Sequence, residues 1–318
     1  MQIDYLRISI TDRCNLNCLY CNPNRRISFL QKEDILSYKE MAKVVELFSV
    51  KGISKVRLTG GEPLIRKDIA SFIRMLKNIK NIKDISITTN GVLLKYMVKD
   101  LKIAGLNRVN ISLDTLKADR FKLITRGENY FDVWDGIKKS IEEGLNPVKI
   151  NVVLLKGIND DEILDFAKLS LEFPLIIRFI ELFPVNSRLK ESFGSMIINN
   201  EDVKQEIIKN FGELESVSNV RGNGPAVYYK IKNSLGNIGF ISSFSEDFCD
   251  RCNRIRIDST GRIFPCLFSE PIYDVKKLIR TKAIDEIFKL IDKITKTKSL
   301  YRKRNIKDYK VEMSSIGG

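Results

Sequence analysis

Short apolar, β-branched runs alternate with longer amphipathic stretches through the first two thirds of the chain. The runs predict six strands, Leu6–Ile10, Lys55–Thr59, Asp84–Thr89, Arg108–Leu113, Val148–Leu155 and Leu175–Leu182, each bounded by Gly, Pro, Asn or Asp. Between them apolar positions recur at helical spacing, as Ile35, Met41, Val44, Val45 and Phe48 do within 34–48, and as Ile69, Phe72, Ile73, Leu76 and Ile79 do further on. Six βα units in succession imply a parallel sheet with right-handed crossovers. Six strands are too few for a closed eight-stranded barrel and suit an open doubly wound sheet or a partial barrel, both of which gather their chemistry at the carboxyl ends of the strands. Thr11 to Cys21, Gly60-Gly61-Glu62-Pro63, Asn90-Gly91 and Asp114 each follow a strand in that way.

The alternation breaks around Pro184 to Asn200, and Val227 to Ile241 reads as a hairpin turning through Lys232 to Asn237. The boundary predicted is therefore a barrel-like unit over 1–184 and a second module over 185–318. The tail from Lys276 to Lys310 is rich in Lys and Arg, yet Leu278, Ile279, Ile284, Ile287, Phe288 and Ile291 form a helical apolar stripe beneath the charge. With few aromatics interleaved, it reads as the solvated face of a packed helix, and no nucleic-acid partner is expected.

Composition changes the picture in one respect. Over 318 residues the 43% hydrophobic and 30% charged content is that of a globular protein, and Lys plus Arg exceed Asp plus Glu by 54 to 40, a net charge of +14. Histidine is absent, with a count of 0, which excludes imidazole bases, Ser/His and Cys/His nucleophiles and imidazole metal ligands. The opening MQIDYLRISITDRCN carries Asp4 and Arg7 in its first apolar stretch, so no signal peptide is expected, and no run approaches the ~20 apolar residues of a membrane span. The expectation is a cytoplasmic protein with no membrane partner, whose six cysteines bind metal.

Those cysteines form two triads. Cys14, Cys18 and Cys21 make a C-x-x-x-C-x-x-C loop directly after the first strand. Three thiolates suit a cubane [4Fe–4S] cluster with one iron left open to a small molecule, the alternative being a zinc loop completed by Asp12 or water. Cys249, Cys252 and Cys266 again lack a fourth cysteine, so a second cubane with an open iron is the natural reading and a zinc site completed by an Asp the alternative. Arg254 and Arg256 lie between these ligands and alternate as in a strand, which puts both guanidiniums on one side, where they suit an anionic or purine-like ligand.

The string Cys14-Asn15-Leu16-Asn17-Cys18-Leu19-Tyr20-Cys21 resembles the signature of the radical S-adenosylmethionine (SAM) superfamily. Gly60-Gly61-Glu62-Pro63 resembles its GGEP turn, Thr88-Thr89-Asn90-Gly91 its third-strand motif and Ser112-Leu113-Asp114 its fourth. Paired glycines permit close approach of backbone to a ligand, or simply a tight turn; Glu62 suits the SAM ammonium and Tyr20 suits the adenine or the core. The two triads, Arg254 and Arg256 between the second set, and the terminal Gly317-Gly318 closely resemble one family within it, the MoaA-type GTP 3′,8-cyclases of molybdenum cofactor (molybdopterin) biosynthesis.

That resemblance implies an α/β fold, a partial (βα)6 TIM-type barrel with a C-terminal extension carrying a second Fe–S cluster. It implies a lyase that cleaves SAM with an electron from the first cluster, abstracts the C3′ hydrogen of GTP and joins C3′ to C8 of the guanine. It places triphosphate and ribose contacts on Arg7, Arg57, Thr88 and Lys149, guanine by Arg254 and Arg256, SAM contacts on Tyr20, Gly61, Ser112 and Phe183, and Gly317 and Gly318 in the active site. The family often has Met where Phe183 stands; Phe keeps an apolar contact without a thioether's flexibility. The residues add that Arg7, Arg57 and Lys149 lie in or near strands, where burial is costly without an anion. The implied partners are GTP, SAM, an electron donor and a downstream cyclic pyranopterin monophosphate synthase, in a monomer or homodimer. A radical SAM peptide- or protein-maturing enzyme is the alternative, though this chain has no cysteine beyond the two triads.

Overall fold

The structure is a computed structural model and describes residues 3–21, 29–183, 191, 193–218, 220–222, 224–242 and 252–301. Six parallel strands, β1 (Tyr5–Ser9), β2 (Lys55–Thr59), β3 (Asp84–Thr89), β4 (Arg108–Ser112), β5 (Val148–Leu154) and β6 (Leu175–Glu181), lie side by side in sequence order. That order decides between the two architectures left open by the sequence. A doubly wound sheet reverses direction at a switch point, whereas crossovers of one hand that always step to the next neighbour keep every helix on one face and curl the sheet into a partial barrel.

The later strands extend the same sheet at both edges. On the β6 side β9 (Asn237–Ile241) pairs parallel to β6, followed by β8 (Val227–Ile231) and β7 (Leu214–Val217); on the β1 side β10 (Arg254–Ile257) pairs parallel to β1, followed by β11 (Arg262–Phe264) and β12 (Tyr273–Asp274). The β8–β9 pair is the hairpin expected over 227–241.

Alternation along each strand sorts the side chains. Leu6 and Ile8, Val56 and Leu58, Ile85 and Ile87, and Val109 and Ile111 face outward and are buried beneath α1 (Tyr38–Val50), α2 (Ile69–Lys77), α3 (Leu94–Ala104) and the helices that follow. The first helix begins at Tyr38 rather than at 34, because Ser37 caps it: its hydroxyl accepts from the Glu40 amide and Glu40 reaches back to the Ser37 amide. Within the tail, Ile284–Thr297 is a helix whose Ile287, Leu290, Ile291 and Ile294 are buried in the same core, so its apolar stripe packs as expected. No helix among the described residues is long and apolar enough to cross a membrane.

The inward face is unlike that of an ordinary parallel sheet, which is apolar on both sides. Register aligns Arg256, Arg7, Arg57, Ser86 and Arg108 in one row, and Thr88, Asn110 and Lys149 in another. Arg108 is fully buried and donates from Nε to both oxygens of Asp84 at 3.0 Å, fixing the amino ends of β3 and β4. Asp84→Ala would leave that guanidinium buried without its carboxylate; the expected loss is roughly 3–5 kcal/mol of stability in denaturant unfolding, and a loss below the ordinary range of surface substitutions would contradict this role.

Candidate active site

The loop of the first triad leaves the carboxyl end of β1 and is held from three sides. The Gly61 amide donates to Thr11 O at 2.8 Å and the Glu62 amide to Arg13 O at 2.7 Å, so the turn after β2 lies directly against the cysteine loop. A Cβ on Gly61 would stand 2.2 Å from Arg13 O, and one on Gly60 2.5 Å from Thr11 O, which is why two glycines occur here. On the far side, Asn17 and Leu19 donate backbone bonds to Thr125 and Ile124 at 3.0 and 2.9 Å, fastening the loop to the helix Ala118–Thr125.

Glu62 is buried and accepts from the Leu64 amide, the Thr89 hydroxyl and the Asn90 amide at 2.7 to 2.9 Å. Three of about four lone-pair sites are thereby used, so Glu62 ties the turns after β2 and β3 together and keeps one acceptor site for a further donor. Burial raises its carboxyl to about 7, against these three bonds. Asn90 in turn donates to Asn15 Oδ1 at 2.8 Å and lies 3.8 Å from Cys14 Sγ. Tyr20 donates its hydroxyl to Asp114, whose other oxygen accepts from the Val153 amide at 2.8 Å, so Tyr20 is fastened to the ends of β4 and β5. Burial raises the Asp114 carboxyl to about 6.

Cys14, Cys18 and Cys21 face one another closely enough to interact. Burial raises all three thiols; the neighbouring thiols and Asp114 add to it at Cys18 and Cys21, Glu62 adds to it at Cys14, and Cys21 reaches about 12. Among the described residues no three His, Cys, Asp or Glu side chains converge as a single ion would require. Three thiols gathered on one loop match the donor set of a [4Fe–4S] cluster.

The second triad lies elsewhere. Arg254 pairs with Tyr5, so Cys252, two residues earlier, sits beyond the amino end of β1, while the first triad sits beyond its carboxyl end. About 13 Å of extended strand separates Tyr5 from Ser9. Cys266 interacts electrostatically with Cys252, and the segment after it crosses to the β6 side, where Phe268 packs on Phe183 at 5.1 Å between ring centroids. Leu19, Tyr20, Phe183, Cys266 and Phe268 belong to one small apolar cluster with Leu155, Leu182 and Phe193. Cys249, Gly317 and Gly318 lie outside the described residues.

Between the two loops the inward face is cationic. Arg7, Arg57, Lys149, Arg178 and Arg256 are all buried, with Arg254 partly so; the register sets Arg254, Arg256, Arg7 and Arg57 around Tyr5, Arg178 interacts with Tyr5 electrostatically, and Lys149 with Arg178, Arg108 and Arg57. Burial, with Arg256 and Arg57, pulls Arg7 well below its usual value; burial pulls Arg57 to about 9 and Arg256 to about 10. The Tyr5 hydroxyl shows the same field, since burial alone would raise it and the guanidiniums of Arg57, Arg108, Arg7 and Arg254 bring it down. Lys149 is 1% exposed, donates to Arg221 O and Tyr228 Oη at 3.0 Å, and is lowered to about 5 by burial and by Arg178, Arg108 and Arg57. The sequence reading placed Arg7, Arg57, Thr88, Lys149, Arg254 and Arg256 here and missed Arg178 and Arg108. Both carry the signal that marked the others, a lone Arg in an apolar strand; each has a buried guanidinium nitrogen with no hydrogen-bond partner among the described residues. Ser112 ends β4 beside Asn151, and Thr88 accepts from Asn110 at 3.3 Å.

The partial barrel and its cysteine loop define a radical SAM protein. Residues 8–170 match the model of the Radical SAM superfamily and residues 175–304 that of Molybdenum Cofactor Synthesis C. Proteins curated as GTP 3′,8-cyclase are similar over nearly the whole chain. That of Desulforamulus reducens is 46% identical, covering 99% of this chain and 98% of its own length; that of Thermodesulfovibrio yellowstonii is 47% identical, with the same coverage. The chain belongs to the GTP 3′,8-cyclase family of the radical SAM superfamily. Among solved structures, Streptococcus suis SuiB bound to S-adenosylmethionine superposes with a TM-score of 0.62 at 17% identity, covering 92% of this chain and 68% of SuiB, a likeness of fold.

Two outcomes follow from this geometry. Gly61→Ala forces the two loops apart, so anaerobically reconstituted variant protein should retain less iron on the first triad than the native chain; equal retention would contradict the packing argument. Lys149 is neutral at pH 7 with its value near 5, and an entering polyanion raises that value. Calorimetry with inorganic triphosphate in buffers of different ionisation enthalpy should show net proton uptake, abolished in Lys149→Met; binding without uptake would contradict it.

Proposed function

We infer that this chain converts GTP to (8S)-3′,8-cyclo-7,8-dihydroguanosine 5′-triphosphate, in molybdenum cofactor biosynthesis. The observation that carries the reading is the row of buried cations between two cysteine loops, in a chain that otherwise offers a buried phosphate no histidine. A triphosphate with about four negative charges suits the inward guanidiniums of Arg7, Arg57, Arg178, Arg254 and Arg256 and a Lys149 amine that takes up a proton as it binds, whereas a peptide backbone would leave most of that charge uncompensated. The near full-length similarity to curated cyclases supports the same reading.

Cys14, Cys18 and Cys21 hold a [4Fe–4S] cluster with an iron open to SAM. Bound together, cluster and SAM supply the one-electron chemistry that opens an unactivated ribose C–H bond. The protein does the rest by position and charge. Tyr20, Gly61, Ser112 and Phe183 line the SAM side, with Tyr20 aligned by Asp114. Arg7, Arg57, Thr88 and Lys149, joined by Arg178, hold the triphosphate and ribose. Arg254 and Arg256 flank the guanine, beside a second cluster on Cys249, Cys252 and Cys266, and Gly317-Gly318 reaches the same space. Burial of the lumen excludes water and thiols that would quench a radical. An external electron donor feeds the first cluster, and a cyclic pyranopterin monophosphate synthase consumes the product.

Anaerobic protein given SAM, a reductant and GTP deuterated at C3′ should release the cyclised nucleotide and 5′-deoxyadenosine carrying the deuterium. SAM cleavage with neither outcome would overturn the assignment. Arg254→Ala should lower GTP turnover by about 10- to 100-fold, the worth of a hydrogen bond from a charged group, while leaving SAM binding at the first cluster intact.

A further inference from the structure

The tail reads from sequence as a solvated basic face, and Lys298 departs from it. It follows the tail helix Ile284–Thr297, which packs in the main core, and is 8% exposed. Its Nζ donates to Arg254 O at 2.5 Å and to Pro265 O at 2.7 Å. The first carbonyl lies two residues after Cys252 and the second one residue before Cys266, so a single ammonium bridges both segments that bear these cysteines. It uses two of three N–H donors on neutral carbonyls and makes no ion pair with a carboxylate among the described residues.

A buried ammonium beside two guanidiniums needs negative charge nearby. Burial lowers Lys298 from its usual value, and the groups that oppose this are Cys252 and Cys266, with Arg254 and Arg256 adding to the burial effect. The influence is mutual. Burial alone would raise the Cys252 thiol, yet Arg254, Lys298 and Arg256 together with a backbone bond bring it down.

We propose that Lys298 is a positioning residue of the second metal centre: its ammonium clips the Cys252 and Cys266 segments together, and its charge offsets that of the thiolate-ligated cluster, favouring the reduced state and slowing loss of iron. This rests on the reading of the second triad as a cluster site. Groups just outside a metal's ligands commonly change affinity by about 10- to 100-fold, and net charge is a main control of cluster potential.

The test uses full-length, anaerobically reconstituted protein, with iron and sulfide per chain measured first. Potentiometric titration followed by paramagnetic resonance then reads the two clusters, and a ferrous chelator, bathophenanthroline disulfonate, reads iron release. Lys298→Met should shift the second cluster to a more negative midpoint and release its iron about tenfold faster, with the SAM-responsive signal unchanged. Lys298→Arg, which keeps the charge, should stay close to the native protein, and Lys298→Gln, which keeps N–H donors without charge, should shift the midpoint as Met does. Native midpoint and release in both Lys298→Met and Lys298→Gln would overturn the proposal, as would a native midpoint in Gln alone, which would leave only a structural clip. A native chain with iron for one cluster would instead overturn the second-cluster reading on which the proposal rests.

Discussion

Positive charge buried on the inward face of a parallel sheet is the constraint around which this structure is organised. Arg256, Arg7, Arg57 and Arg108 share one register row, and Asp84 answers only the last of them directly. In an ordinary barrel the interior is filled with branched apolar side chains. Here burial and the neighbouring cations depress Arg7, Arg57, Lys149 and Arg256, an unfavourable field that a bound anion would relieve. The outer face, apolar and helix-covered, bears the stability that lets the inner face remain so unfavourable.

The two cysteine loops are placed by different means. Sheet geometry alone sets the first beyond one end of β1 and Cys252 beyond the other, so the cations of β1 and its neighbours lie between. The first loop is then fixed by contacts too close for any side chain at Gly61, by Glu62 tying two turns together, and by Tyr20 on Asp114. Radical chemistry needs no imidazole; it needs fixed distances, and the loop contacts supply them.

Much of this was legible in the sequence because period-two alternation and punctuation by Gly, Pro and Asn are local. The six strands fall within one residue or so of expectation, and lone cations within apolar runs flagged Arg7 and Arg57. Strand order was not legible, since partial barrel and doubly wound sheet share the same βα pattern; nor was the splitting of the later strands between opposite edges, which depends on pairings made far apart in the chain. Arg108 and Arg178 carried a readable signal and were passed over. Glu62 suits the SAM ammonium from its motif, and its three bonds to Leu64, Thr89 and Asn90 add a second role that only the fold discloses. Lys298 looked like one more surface lysine, and nothing local separates it from Lys293 or Lys296.

The most direct test of the account is an anaerobic crystal structure of the reconstituted chain with SAM and GTP, with anomalous scattering recorded at the iron edge. The expected result is two iron peaks, one at Cys14, Cys18 and Cys21 and one at Cys249, Cys252 and Cys266, with the triphosphate between them against Arg7, Arg57, Lys149 and Arg178. A nucleotide bound outside the lumen, with those cations turned away from it, would contradict the central claim.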